Sequence, residues 1–430
     1  MLNPEVEESM LRKWLIGVVA VASLFSARTV VAEKVDFDQG VDVKGIVASL
    51  QEKVAQEKAT EDKAGIAEWT VMVYINAKNN LESFGVIDTN EMEVVGSNSK
   101  VKIAVELGRL GNDKEAAWKG QRRYVIQKDG DFQNITSPVL QDIPTADMGD
   151  WRHLVEFVTW AKAAAPAKKY MLVVWNHGSG WDKKRADVGV QGISYDDETG
   201  NHISTPQLGQ ALASMGKIDI YASDACLMQM AEVSYQLKDY TEYVVGAEET
   251  EPGDGYTYNT MLAPLAGNPA MSAGELARVT AEAFTAHYAA INQGATQSVV
   301  RSAALARLPA LLDGWTAAVM AANEGKLVKA AHRAAQDFYI SDNKDLVDFV
   351  KRVSDTSANA AVKSKGAELQ QFLLGEVITA NAVTGSNYSG ANGLAIYLPN
   401  YGFNSSYNTL SWAAATQWPK FAQWVGGLRD

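Results

Sequence analysis

A single cysteine, Cys226, stands among 430 residues, so the chain can form neither an internal disulfide nor a cysteine-cluster zinc or iron–sulfur site. Positive charge is also short: 39 Lys and Arg face 51 Asp and Glu, a formal net charge of −12 at pH 7. A surface of that sign repels phosphate backbones and anionic lipid, so nucleic acid is not an expected partner. The histidines number five and include no His-Glu-x-x-His pair, which argues against zinc hydrolysis. Gly178-Ser179-Gly180 is too short for a dinucleotide fingerprint, and the Gly-x-Ser-x-Gly elbow of serine hydrolases is missing. No internal repeat or low-complexity tract is present. What remains is a chain with 47% hydrophobic residues, long enough for two or three domains at roughly 150 residues each and able to bury a sizeable core.

Arg12 and Lys13 precede an apolar run from Trp14 to Phe25, and small residues lead to Val30-Val31-Ala32 ahead of Glu33-Lys34. That is the layout of a cleaved secretory signal over residues 1–32. The run is shorter than the roughly 20 residues of a membrane-crossing helix, and no later segment reaches that length without charges, so no stable membrane anchor is expected after signal removal. The acidic Glu5, Glu7 and Glu8 are atypical of a signal and leave an uncleaved anchor open. Export, to a periplasm or beyond the cell, would put Cys226 in an oxidising compartment with nothing inside the chain to cap its thiol. Residues 33–68 are dense in charge, with Ile46, Val47, Leu50 and Val54 at helical spacing. They read as a charged helical leader, either a pro-segment or a stalk.

From Trp69 short β-rich runs alternate with helical ones. Strands are predicted at Trp69 to Ile75, Val101 to Leu107, Arg122 to Ile126, Tyr170 to Asn176, Ile218 to Ser223 and Tyr243 to Ala247. Helices are predicted at Leu81 to Val95, Asp150 to Ala164, Thr205 to Ala213 and Cys226 to Leu237. Several strands are nearly continuous apolar runs, as strands covered on both faces must be. The alternation predicts an α/β fold, a mostly parallel sheet with helices on both faces, over residues 69–262. Residues 263–430 turn alanine-rich and read as a mainly helical region with a late strand at Gly393 to Leu398.

Two strand ends carry the reactive residues. Tyr170 to Asn176 runs into His177-Gly178, and Ile218 to Ser223 runs into Asp224-Ala225-Cys226. In such sheets the ligand crevice lies beyond the carboxyl ends of the strands. The two sites are about 50 residues apart, enough for a helical crossover between adjacent parallel strands. A cysteine nucleophile needs its thiolate, and a helix opening at Cys226 would favour the anion through its dipole. His177 can take and return a proton near neutral pH. Glycine at 178 lets the backbone approach a reacting carbonyl, so the amides of Gly178 and Cys226 are candidate oxyanion donors. Nucleophile, base and oxyanion donors together describe acyl transfer. Taken singly, a cysteine after a buried strand reads as core and a lone histidine as a structural hydrogen-bonder; their joint placement favours catalysis.

The chain resembles the clostripain family of cysteine peptidases, which have the caspase-like fold. The matching pieces are Trp69-Thr-Val-Met-Val-Tyr-Ile-Asn76 with Asn79-Asn80-Leu81, Asn176-His-Gly-Ser-Gly-Trp181, Asp224-Ala-Cys-Leu-Met228 and Glu248-Glu-Thr-Glu-Pro-Gly-Asp-Gly-Tyr256, with later echoes at Asp345-Leu-Val-Asp348 and Gly393-Leu-Ala-Ile-Tyr-Leu-Pro399. The resemblance implies that His177 is the catalytic histidine and Cys226 the nucleophile. It also implies cleavage after Arg or Lys, with Asp224 and Asp254 at positions the family uses around its first specificity pocket. A carboxylate there offers a charge-assisted partner to an entering cation. Asp224 also reads as a helix cap and Asp254 as an Asp-Gly turn. Such enzymes cut themselves between the histidine and the cysteine, an interval that here holds Lys183, Lys184 and Arg185; the triplet is equally a solvated charge cluster.

No cofactor is required by this chemistry. Calcium is needed by some relatives, and Asp196-Asp197-Glu198 could supply oxygen ligands, although the stretch lacks the spacing of a calcium loop and reads more simply as a polar turn. Asp342, Asp345 and Asp348 recur at i, i+3, i+6 and are expected on an exposed helix face rather than at a metal. The expectation is thus an exported, self-processing cysteine endopeptidase acting on protein or peptide substrates with Arg or Lys before the cut. The alternative is a catalytically silent envelope protein that grips basic peptides in the same crevice.

Overall fold

A computed structural model describes residues 66–111, 118–181 and 192–428. The secretory signal, the leader up to Gly65, and Lys183, Lys184 and Arg185 lie outside the described residues. From Ile66 onward the chain forms one compact unit.

Strands β1 (Ala67–Ala77), β2 (Val101–Arg109), β3 (Gly120–Val125), β4 (Gln141–Ile143), β5 (Ala167–Trp175), β6 (Ile193–Asp196), β7 (Asn201–Ile203), β8 (Ile218–Asp224), β9 (Thr241–Gly246), β10 (Ala295–Arg301), β11 (Asn343–Asp345), β12 (Ile378–Thr384) and β13 (Ala395–Tyr397) follow in chain order. Nine of them form one sheet in the order β12-β10-β9-β8-β5-β1-β2-β3-β4. The five central strands, β9 to β2, run parallel, and antiparallel strands flank them on both sides. The six strands expected from the sequence are all present. The first has begun by Ala67, inside the stretch read as leader.

Alternate side chains divide between two cores. In β1, Met72 and Tyr74 face one and Val71, Val73 and Ile75 the other; in β5, Leu172 and Val174 oppose Met171 and Val173. A strand with two apolar faces reads as one continuous apolar run, which is why these strands were legible. Helices α1 (Glu82–Val95), α2 (Trp151–Ala164), α3 (Thr205–Met215), α4 (Ala231–Leu237), α5 (Tyr258–Gly267) and α6 (Ala273–Ala290) cover the sheet. Residues from α2, α3 and α4 join the first core, and residues from α1, α5 and α6 join the second. Helix α2 starts where Asp150 accepts the Arg152 N–H, and α3 opens on a Ser204/Gln207 capping box.

The later half contributes to the same sheet. The boundary drawn at residue 262 falls inside α5, and β10 and β12 extend the sheet past β9. The late strand expected at Gly393 to Leu398 is the three-residue β13, which pairs with β11 outside the main sheet. Helices α7 (Leu308–Ala322), α8 (Gly325–Ala334), α9 (Leu346–Thr356), α10 (Ala360–Phe372), α11 (Ser411–Ala415) and α12 (Trp418–Gly426) enlarge the first core around Trp315, Trp412 and Trp418. Among the described residues no helix is long and apolar enough to cross a membrane.

Candidate active site

Sheet register sets the site. Parallel pairing aligns Trp175 of β5 with Asp224 of β8, so the residues after each emerge side by side at the carboxyl edge. The Asn176 N–H still donates to the Asp224 carbonyl at 3.2 Å. A Cβ on Gly178 would lie 2.4 Å from the Cys226 carbonyl oxygen and 3.1 Å from Ala225 Cβ. The His177 and Cys226 loops are therefore in contact, and only glycine permits an approach that close.

The histidine loop stands on a polar footing. The Asn176 side chain donates to the carbonyls of Asn76 and Tyr195 and accepts the Tyr195 N–H at 2.9 Å. Asn79 donates to the same Tyr195 carbonyl at 3.0 Å, and Asn76 donates to Ser194 Oγ at 3.1 Å. These bonds fasten the turn after β1 to the end of β5. The next residue of that turn, Asn80, puts its Oδ1 at 2.8 Å from His177 Nε2. When Nε2 carries the proton it donates to Asn80, and Nδ1 is left as the basic nitrogen.

The cysteine loop is built differently. No helix opens at Cys226: α4 begins at Ala231 with Met230 extended before it, and the intervening residues form an irregular turn. Leu227 sits at φ +63°, a left-handed conformation costly for a residue with a Cβ. Tertiary bonds hold the turn there: Leu227 N–H to the Glu249 carbonyl at 3.0 Å, Gln229 N–H to the Ala247 carbonyl at 3.0 Å, and Ala395 N–H to the Gln229 carbonyl at 3.0 Å. The segment after β9 satisfies backbone groups that a helix would have paired internally, which is why the expected helix start fails. The dipole argument for the thiolate fails with it. The Glu251 N–H does reach Sγ, at 3.3 Å, but burial and then the negative charges of Glu251 and Glu249 push the thiol pKa up to about 11.

An acidic pair, Asp224 and Glu251, adjoins the cysteine loop. Asp224 is only 4% exposed; its Oδ1 accepts the Tyr256 N–H at 3.1 Å and its Oδ2 the Tyr258 hydroxyl at 2.8 Å. A Cβ on Gly255, at φ +56°, would come within 2.9 Å of Oδ1, so glycine is what brings the turn onto this carboxylate. Asp224 is thus no helix cap. Loss of hydration, then the charge of Asp224, raises the pKa of half-buried Glu251 well above the usual carboxyl range. Asp254 takes a separate direction, its Oδ2 lying 3.5 Å from His287 Nε2. His287 and Tyr288 on α6 hold the turn, with the Tyr288 hydroxyl donating to the Gly255 carbonyl at 2.8 Å.

Residues 73–424 match the sequence model of peptidase C11, the clostripain family. The chain belongs to that family. It is 25% identical over 236 residues to clostripain of Hathewaya histolytica, a match covering 49% of this chain and 44% of that protein, so the chain spans less than half the length of this relative. It is similar in fold to a secreted C11 cysteine protease of Bacteroides thetaiotaomicron solved with an irreversible peptide inhibitor, with a TM-score of 0.62 and 21% identity, covering 82% of this chain and 99% of that one. It is similarly close to an inactive zymogen C11 protease of Parabacteroides distasonis, with a TM-score of 0.61, 19% identity and the same coverage. The fold is thus the caspase-like α/β fold of the clostripain family.

Other candidates fall elsewhere. Asp196 is buried and paired with Lys78 Nζ at 2.9 Å, and Lys78 also reaches Glu198 at 2.5 Å, so a resident ammonium already serves these carboxylates. Among the described residues no group of three His, Cys, Asp or Glu could hold a metal. Asp345 and Asp348 are not on an exposed face: both are buried, and Asp345 caps α9 by accepting the Asp348 N–H. Asn80 and Glu251 were inside the quoted motifs but had no role assigned. An Asn-Asn pair just past a strand end was the available signal for the first; nothing local marked Glu251 as a thiol neighbour.

Proposed function

We propose that this clostripain-family chain is an exported cysteine endopeptidase that hydrolyses peptide bonds after Arg or Lys. The observation that carries the reading is the meeting of the His177 and Cys226 loops across Gly178, with the buried Asp224 carboxylate two residues before the cysteine. A basic side chain entering beside Asp224 and Glu251 gains a charge-assisted partner as it loses water. The same cation offsets the negative potential that keeps the thiol protonated, so substrate itself lowers the Cys226 pKa, by ~1.4 kcal/mol for each unit. Cys226 then passes its proton to His177, and the sulfur attacks the carbonyl carbon. The amides of Gly178 and Cys226 are the proposed donors to the resulting oxyanion. His177 gives the proton to the leaving amine, and the C–N bond breaks to leave a thioester. Water attacks that acyl-enzyme, losing its proton to His177, and the acid departs as the thiol is restored. Asn80 acts as a positioning residue for the His177 ring; Asn80→Ala should lower kcat about tenfold while changing KM little.

Asp254 enters this reading as a support of the pocket turn. Export through residues 1–32, and a self-made cut at or near Lys183, Lys184 and Arg185, are part of the proposal on sequence grounds. Wild type and Cys226→Ala running as identical single chains on a denaturing gel would exclude self-processing. The raised thiol pKa favours a second reading, the silent binder of basic peptides. Fluorogenic peptides differing only in the residue before the cut separate the two. Turnover of Arg and Lys peptides, absent in Cys226→Ala, is expected. Tight binding of those peptides without turnover would establish the binder, and turnover only of Asn or Asp peptides would overturn the specificity.

A further inference from the structure

A cavity of about 410 Å³ opens on the flank of Cys226 away from His177. Its near wall is Thr250 and Pro252; Glu251 between them has its N–H on the sulfur. Adjacent Cα atoms are ~3.8 Å apart, so the wall begins within roughly 7 Å of the nucleophile, about one residue's reach along an extended peptide. The far wall comes from the turn before β10, at Asn292 and Gln293, and from the turn after β12, at Ser386 and Asn387. Strand β10 is antiparallel to β9, and β12 antiparallel to β10, so both turns lie at the sheet edge that bears Cys226.

Sheet order gives this cavity a side. In the row β12-β10-β9-β8-β5, the histidine loop leaves β5, the cysteine loop leaves β8, and the cavity lies at the ends of β9, β10 and β12. The histidine must face the leaving amine to protonate it. A cavity across the nucleophile from the histidine therefore meets the acyl half of the substrate. Its chemistry is equally specific. The lining carries carboxamides and hydroxyls and no formal charge. Glu251 turns from it toward Gln297 and Asp224, and Glu249 is buried, accepting the N–H groups of Thr250 and Tyr339. Among the described residues, the side chains of Asn292, Gln293 and Asn387 have no hydrogen-bond partner. The walls meet because Gly385 and Gly294 are in backbone contact and the Tyr388 ring lies against Gly294.

Resting on the peptidase reading above, we infer that this cavity takes the side chain of the residue next to the basic one, on the acyl side of the cut, and selects uncharged hydrogen-bonding side chains such as Thr, Ser, Asn or Gln. A charged guest would lose hydration without a counter-charge, and an aliphatic guest would leave the amide lining unpaired.

The test is a panel of acyl-X-Arg-aminocoumarin peptides in which only X varies. With wild type, kcat/KM for X = Thr, Ser, Asn or Gln should exceed that for X = Leu or Glu about tenfold. Asn292→Asp and Asn387→Asp, made separately, should each raise X = Lys over X = Thr at least severalfold relative to wild type. Residue 292 stands at φ +56°, which Asp tolerates, so the first variant should fold. A profile flat within twofold, with Arg hydrolysis intact, would overturn the subsite and leave the peptidase reading standing. So would a preference that neither variant moves, or variants that alter selection only on the leaving side. Hydrolysis of no Arg or Lys peptide would end both.

Discussion

The four-residue stretch Glu248 to Glu251 gives one carboxyl to each of two acidic pairs, and the pairs are built to opposite specifications. Glu248 meets Asp345 in the interior, where both are buried and surrounded by donors. Gly393 N–H reaches Glu248 at 2.9 Å, and Asn392 N–H and Asp348 N–H each reach Asp345 at 2.6 Å. Burial and the facing carboxyl raise Glu248 well above its ordinary range, and burial lifts Asp345 to about 6. A shared proton and a ring of N–H groups complete that pair, and it clamps the Asn392–Gly393 turn to the segment that cradles the cysteine loop. Glu251 and Asp224 repeat the shared proton but adjoin the cysteine loop, and Glu251 is half-buried. Identical functional groups thus act as a fastener where protein closes around them and, in the function proposed above, as a cation receptor beside the nucleophile.

The largest effect expected from breaking this contrast is kinetic. Asp224→Asn should lower kcat/KM for Arg peptides about a hundredfold, on the scale of removing one member of a buried charge pair. The loss is partial, because without Asp224 opposite it Glu251 gives up its proton more easily and can stand in. Asp224→Asn with Glu251→Gln should therefore cost about tenfold more than the single change. Equal losses in both variants would show that Glu251 lends no charge. Melting temperatures should fall by only a few degrees, which separates this pair from the other.

At the interior pair the order reverses. Glu248→Ala strands the Gly393 N–H and leaves Asp345 alone among its donors, and should destabilise the fold by about 3 kcal/mol in urea unfolding. Removal of the carboxyl without a change of midpoint would show that the clamp does not hold the turn. The conservative Glu248→Gln keeps the shape and removes a titration. Both carboxyls have folded pKa values above their unfolded ones, so the stability they add is complete below about pH 4 and is lost as pH rises through Asp345's value near 6 and then Glu248's higher one. Between pH 4 and 8, Glu248→Gln should flatten that decline by roughly 1–2 kcal/mol. Parallel stability curves for the two proteins would mean that the pair is not coupled.

What the sequence revealed follows the same division between local and distant causes. The central strands were legible because two-sided burial writes itself as a continuous apolar run, and the adjacency of His177 and Cys226 followed from parallel pairing. Strands β10 and β12 went unread since Ala-Thr-Gln-Ser and Thr-Ala-Asn-Ala, near a sheet edge, carry little hydrophobic signal. The helix expected at Cys226 was displaced by backbone bonds from Ala247, Glu249 and Ala395, partners that local periodicity cannot announce. The thiol's surroundings were misjudged for the same reason: Glu251 lies 25 residues on in the chain and reaches the sulfur only through the fold. Burial of Asp345 was hidden because a 3-residue spacing of acids looks like a solvated face until a second carboxyl is known to oppose it.

The smallest expected effect is the most direct probe of the open pair. With its pKa at about 11, Cys226 should react with iodoacetamide at pH 7.5 more slowly than a small model thiol, since the thiolate fraction sets the rate. An arginine amide in the pocket brings a cation beside Asp224 and Glu251, and should accelerate alkylation by a few-fold. Asp224→Asn should weaken the acceleration and Asp224→Asn with Glu251→Gln should abolish it, whereas Glu248→Gln, at the sealed pair, should leave it intact because no solute cation reaches that site. Faster labelling than the model thiol in the absence of ligand would mean that the resting sulfur is already activated. In that case the acidic pair would serve recognition alone, without coupling the arrival of substrate to the ionisation of the nucleophile.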